Sequence, residues 1–210
     1  MNLALLALFA YLMGGIPFGM IVAKLTLGID IRSIGSGNIG ATNVLRVMGW
    51  KGGVLVLFLD ALKGFVPVLL AQLFFAAPGA AVLAGLAAML GHTFSPFLRF
   101  RGGRGVATGL GVVLALSWQA GLTAFGIALV LMAAFRYVSL GSVVGALSLP
   151  FLMIIFWQPL EYVGFVTLAA LLIVARHIPN MRRLLAGAES QLGEKSAAPI
   201  PPETSQPAAE

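Results

Sequence analysis

The sequence predicts an all-α protein, a polytopic transmembrane bundle of about seven helices with its N-terminus outside and its C-terminus cytoplasmic. Three observations predict it. Of 210 residues, 60% are hydrophobic and 10% charged, with a mean hydropathy of +1.00; a soluble domain is about half apolar and a quarter charged. The apolar residues fall in runs close to the roughly 20 residues that a helix needs to cross a bilayer. Polar blocks separate the runs, and all 13 Lys and Arg lie in or beside alternate blocks, as cytoplasmic loops require.

Leu3 to Ala23 is the first span. It has no basic leading region and is long enough to cross, so it reads as a helix and not as a cleaved signal. Gly14-Gly15-Ile16-Pro17 is expected to kink it, with neighbouring groups satisfying the freed carbonyls. Lys24, Asp30 and Arg32 lead into a glycine-rich stretch that is too polar, up to Gly53, to face lipid. A second span is expected from about Val54 to Ala77, with Asp60 and Lys63 near its start. Ala77-Pro78-Gly79 turns the chain into a third, ending near Phe97.

The basic block from Arg99 to Arg104 precedes a fourth span, to about Leu116. Ser117-Trp118-Gln119 turns it into a fifth, Leu122 to Phe135. Arg136 opens the sixth, which ends at Trp157, and the seventh runs from about Tyr162 to Ala175. Residues 1–189 form the membrane domain in this reading. Residues 190–210, rich in Pro, Ala and Glu, form a disordered cytoplasmic tail.

The opposite loops, at 78–80, 117–121 and 157–161, hold no Lys or Arg. The net charge of +6 is therefore a topological signal, and nucleic acid is not an expected partner. Without cysteine there is neither disulfide nor thiol catalysis, and two histidines argue against a metal site. Neither metal nor cofactor is expected. No internal repeat is visible, which counts against many transporter folds.

Three polar blocks on the basic side combine glycine with cations or amides. The first runs from Gly35 through Ser36, Gly37, Asn38, Gly40, Thr42 and Asn43 to Arg46. Its small residues allow close backbone approach, its N–H groups can converge on an anion, and Arg46 can grip a phosphate with two hydrogen bonds. The glycines match a dinucleotide-binding spacing, but a membrane helix precedes them where a strand is needed. Walker spacing fails too, since Ala41 stands at the lysine position. A flexible linker is the plainer alternative, and the amides and Arg46 exceed its needs.

The second block is Gly91-His92 through Arg99, Arg101, Gly102-Gly103-Arg104 and Gly105 to Thr108. Basic loops serve topology without any ligand; here the flanking glycines add donors, and a helix N-terminus follows. The third block, Arg176 to Glu189, carries His177 and Asn180 on one helical face. Asp60 and Lys63, one turn apart, form a candidate intramembrane ion pair. A phosphate head with an apolar tail is the ligand such a bundle suits.

In these three blocks the chain resembles the bacterial acyl-phosphate:glycerol-3-phosphate acyltransferases, and the likeness extends to about Glu189. The resemblance implies transfer of a fatty acyl group from acyl phosphate to glycerol 3-phosphate. The products would be lysophosphatidic acid and inorganic phosphate, in the first acylation of phospholipid synthesis at the bacterial inner membrane. It implies a catalytic group of Ser36, Arg104, Ser142 and His177. Substrate binding would fall to Gly37, Asn38, Gly40, Thr42, Asn43, Arg46, Gly102, Gly103, Ser139 and Asn180. In this scheme Arg46 and Arg104 hold phosphates, and the amides of both glycine stretches, Gly102 and Gly103 included, donate to them. Expected partners are the two substrates, membrane lipid and the enzyme that makes acyl phosphate, with the chain acting as a monomer.

One departure stands out: the second block of this family usually carries lysine where this chain has Arg101 and Arg104. Charge is kept, but arginine does not give up a proton, so electrostatic stabilisation is the role that survives. The proton acceptor is left open between His177 and a substrate phosphate. The His-x4-Asp base of another acyltransferase class is absent, because His92 is followed by Phe97 and His177 by Arg182 at that spacing. A small organophosphate transporter is the alternative from a different class.

Overall fold

The computed structural model describes residues 2–194. Among them the chain forms eight α-helices: α1 (Leu3–Gly15), α2 (Phe18–Leu27), α3 (Ala41–Phe74), α4 (Pro78–Thr93), α5 (Val106–Leu116), α6 (Trp118–Phe135), α7 (Val138–Ile155) and α8 (Leu160–Leu185). With α1 and α2 counted as one 25-residue span, six segments are long and apolar enough to cross a membrane. The shorter α5 completes a seven-part, all-α bundle.

The expected kink is a true break. α1 ends at Gly15 and α2 begins at Phe18. The freed carbonyls are taken by side chains from elsewhere: Ser95 Oγ donates to Gly15 O at 2.6 Å and Lys63 Nζ donates to Ile16 O at 2.7 Å. Lys63 also pairs with Asp60 at 2.7 Å, both side chains buried. In lipid, where an unmet carbonyl costs several kcal/mol, this ties the buried pair to the broken helix.

Three departures from the sequence expectation bear on the site. α3 starts at Ala41, not near Val54, and a left-handed Gly49 (φ 78°) breaks it after two turns. Gly49 thus divides a short polar leg from the membrane span, and local glycine content hid the leg's helical character. α8 continues past Ala175 to Leu185, through Pro179, because its last turns bury His177 and Asn180 and hold Glu189 through Asn180 and Arg183. The expected fourth span, α5, has 11 residues and covers only about 16 Å, against about 30 Å of hydrocarbon.

Small residues set the packing. A side-chain carbon on Gly14 would overlap the Ala88 carbonyl, and one on Gly91 the Tyr11 carbonyl, so α1 and α4 touch backbone to backbone. Gly64 against Thr108 and Gly111 against Ala61 do the same for α3 and α5. Without a hydrophobic drive between helices in lipid, such close approach supplies the association. Beyond α8, residues 190–194, expected as the start of a disordered tail, lie against the bundle: Leu192 N donates to Arg136 O at 2.6 Å and Arg136 Nη2 to Leu192 O at 3.1 Å. Residues 195–210 of that expected tail are outside the described residues.

Candidate active site

One cavity of about 580 Å³ gathers the candidate residues. Its polar end is lined by Ser36, Asn38, Gly40, Thr42, Asn43, Arg46, Arg104, Ser139, Ser142, His177 and Asn180. Its apolar length runs between α6, α7 and α8, past Ala128, Ala146 and Ala169 to Leu149 and Phe165. Along α8 the lining extends from Asn180 to Phe165, fifteen residues or about 22 Å of helix. Gly37, Gly102 and Gly103 lie outside the lining.

The first block is folded around Asn43. Its buried amide donates to Ile31 O (3.0 Å), Ile34 O (3.0 Å) and Asn38 O (2.9 Å), and its Oδ1 accepts from Ser36 N at 2.9 Å. Asn43 was expected to bind substrate; its side chain is spent on the loop that presents Ser36 and Asn38. Gly35 and Gly37 take left-handed φ of 62° and 67°, which any other residue would adopt under strain. The loop ends at Gly40, whose N–H is met by Asn38 Oδ1 at 2.9 Å. The N–H groups of Ala41 and Thr42, at the start of α3, make no hydrogen bond among the described residues. One turn on, Arg46 makes a single bond among the described residues, Nη2 to Ser190 O at 3.3 Å.

The second block corrects an expectation. Gly102 N donates to Thr93 O and Gly103 N to His92 O, each at 3.0 Å. The amides expected to reach a phosphate are therefore engaged with the end of α4, which uses them to satisfy its own last carbonyls. The two glycines are needed for a different reason: a side-chain carbon on Gly102 would overlap the His92 carbonyl, and one on Gly103 the His92 ring. The donors that remain are one step further along. Gly105 (φ 84°) caps α5, and the N–H groups of Val106, Ala107 and Thr108 have no partner among the described residues.

Arg104, half-buried in the cavity wall, makes no hydrogen bond or ion pair among the described residues. Burial lowers its pKa from the usual arginine value; Glu189 opposes this, while Arg183, Arg46 and Arg176 add repulsion. A guanidinium still stays protonated at neutral pH. Four guanidinium groups thus answer to one carboxylate at the polar end, beside two helix N-termini that favour anions.

The third block supplies polar groups that can meet a hydroxyl. His177 Nδ1 lies 2.8 Å from Ile173 O. A carbonyl only accepts, so Nδ1 carries a proton; in a neutral ring that leaves Nε2 as an acceptor. Asn180 Oδ1 and Ser139 Oγ are buried without a hydrogen-bond partner among the described residues. Ser142 Oγ donates to Val138 O at 2.8 Å, which leaves it acceptor capacity.

Glu189, absent from the expected site, joins this group. Its Oε1 accepts from Asn180 Nδ2 at 2.7 Å and its Oε2 from Arg183 Nε at 2.8 Å. Burial raises its pKa, but the bonds from Asn180 and Arg183, with Ser139 alongside, outweigh burial and hold it below the usual glutamate value. Ser139 bears on the carboxylate without forming a well-aligned hydrogen bond. As the one acid within a basic block, Glu189 was visible in the sequence as the mate of those arginines. His92, which opens the second block, and Asp60, of the expected ion pair, also line the cavity, though neither was expected in the site.

The family model for glycerol-3-phosphate acyltransferase matches residues 4–187. Glycerol-3-phosphate acyltransferase 2 of Moorella thermoacetica is 51% identical over 187 residues, covering 89% of this chain and 96% of its own. The glycerol-3-phosphate acyltransferase of Thermus thermophilus is 47% identical over 191 residues, covering 91% and 96%. Among solved structures, the fold is similar to PlsY, an integral membrane glycerol 3-phosphate acyltransferase. Its glycerol 3-phosphate form superposes with a TM-score of 0.87 at 44% identity, covering 91% of this chain and 96% of that one. Its lysophosphatidic acid form gives 0.85 at 43%.

Proposed function

The chain belongs to the glycerol-3-phosphate acyltransferase family, and from that premise we propose that it moves a fatty acyl group from acyl phosphate to glycerol 3-phosphate. The products are lysophosphatidic acid and inorganic phosphate, in the first acylation of phospholipid synthesis. The observation that carries this reading is the pair Arg46 and Arg104 at one end of an apolar cavity, Arg104 without a partner among the described residues. A site that bound only apolar molecules would not hold an unpaired, half-buried cation, whose desolvation is costly.

In this reading the acyl chain lies along α6, α7 and α8, and the phosphates meet Arg46, Arg104 and the free N–H groups that begin α3 and α5. The glycerol hydroxyl is oriented by Asn180 Oδ1, Ser139 and Ser142, within reach of His177. Its oxygen attacks the acyl carbonyl, the bond from that carbon to the phosphate oxygen breaks, and phosphate leaves with the electron pair. His177 Nε2 or the departing phosphate takes the proton. The donor is already an activated anhydride, so no acyl-enzyme is needed. Positioning and charge stabilisation carry the rate, at several kcal/mol each by order of magnitude.

The protein is a multi-pass membrane protein. We place the basic ends of its helices, and so the site, on the cytoplasmic side of the bacterial inner membrane, the N-terminus outside. The catalytic unit comprises residues 1–189 and acts as a monomer, and the enzyme that makes acyl phosphate is its natural supplier. The test is a phosphate-release assay on purified protein. Release should require acyl phosphate and glycerol 3-phosphate together and match lysophosphatidic acid one to one. Uptake of glycerol 3-phosphate into proteoliposomes without turnover would replace this reading with transport.

A further inference from the structure

Arg176 lines no part of the cavity, yet among the described residues it makes the one side-chain hydrogen-bond link between α8 and the loop that carries Arg104. Its Nη2 donates to Gly102 O at 3.1 Å and to Gly103 O at 3.3 Å. The same two residues are gripped from the other side, where their N–H groups donate to Thr93 O and His92 O. Neither glycine can carry a side chain without displacing His92. The loop is therefore held between the end of α4 and a guanidinium on α8, and Arg104 follows it directly.

On α8, Arg176 precedes His177, and adjacent helical residues point about 100° apart. His177 faces the cavity while Arg176 faces the loop. We propose that Arg176 is a positioning residue: it fixes the Arg104 guanidinium in register with His177, and so sets the distance between the phosphate anchor and the group that meets the glycerol hydroxyl. This rests on the acyltransferase reading for its catalytic consequence, but the geometric claim concerns anion binding by Arg104 alone.

Glycine makes the device necessary. The sequence Gly102-Gly103-Arg104-Gly105 has little intrinsic stiffness, so the loop needs outside bonds to hold a charged side chain against the repulsion of its neighbours. Arg176 supplies two bonds from one nitrogen, to two successive carbonyls. A misplacement of about 1 Å at a reacting centre can cost on the order of 100-fold in rate.

The test is a double-mutant cycle on the full chain, in detergent, with inorganic phosphate as the probe and turnover as a second readout. Arg176→Met should weaken phosphate binding on the order of tenfold and lower kcat/KM on the order of 100-fold. In an Arg104→Met background the same substitution should change either quantity by less than about threefold. Arg176→Gln, which keeps an N–H donor without charge, should recover part of the loss and serves if the methionine variant does not fold. Equal losses in both backgrounds would show a general structural role and overturn the proposal, as would no loss in either. If the wild-type protein binds phosphate and obeys the cycle but turns over no acyl phosphate, the functional reading fails and the positioning role stands.

Discussion

Replacing Arg104 with methionine should separate activity from stability. The guanidinium is half-buried, has no protein partner among the described residues, and faces three other arginines with only Glu189 to balance them. The folded protein gains little from it, so Arg104→Met should leave Tm unchanged or raise it. The transition state should lose one charge-assisted contact with a phosphate, worth about 2–4 kcal/mol, or about 30- to 1,000-fold in kcat/KM. Arg104→Lys keeps the charge and should retain substantial turnover. Phosphate-release rates at several substrate concentrations, alongside thermal melts of both variants, check this. If Arg104→Met kept wild-type kcat/KM, the phosphate-clamp argument would fail and the basic loop would be a topology signal only. If it lost activity and Tm together, Arg104 would be structural.

Three further expectations follow from the same geometry. Asn43→Ala removes the donor and acceptor that fold residues 31–43 and should cost about 2–4 kcal/mol, so melting and phosphate release should both collapse; a normal Tm would refute the hub role. Arg46→Ala and His177→Ala should each remove most turnover while membrane insertion and Tm persist, and near-normal rates in either would take that residue out of the site. Glu189 has a folded pKa below its usual value, so its hold on Asn180 and Arg183 is complete above the unfolded value of about 4.3 and is lost as pH falls through the lower folded value. The chain has no native cysteine, so a spin label at Glu194→Cys should stay immobile at pH 5 and loosen only in stronger acid, whereas added Glu189→Gln should loosen it at every pH. Release already complete at pH 5 would contradict the assignment.

Much of the bundle was legible because lipid enforces a simple rule. Each crossing must satisfy its own backbone, so apolar run length maps onto helices, and six spans and α5 sit where the runs stand. The boundaries that moved did so for tertiary reasons. α8 outlasts its apolar run because Asn180 and Arg183 find Glu189, and the leg of α3 before Gly49 is held by the Asn43 loop.

By itself the sequence determined the class of the protein, the order of its helices and the three blocks that hold glycine beside cations. It placed Arg46, Arg104, His177 and Asn180 at helix ends on one basic side, which is why a single cavity could collect them. Only the tertiary structure decided which polar groups remain available there. Gly102 and Gly103 looked like free donors but are consumed by the end of α4, while the free donors begin α3 and α5. Asn43 looked like a ligand and is the knot of its own loop; Glu189 and Arg176 bounded the third block without an assigned role, and the fold sets Glu189 against Asn180 and Arg176 against Gly102. The reason is physical: a hydrogen bond between residues 74 apart, as from Arg176 to Gly102, depends on how close two helices can pack. Local spacing carries no record of that distance.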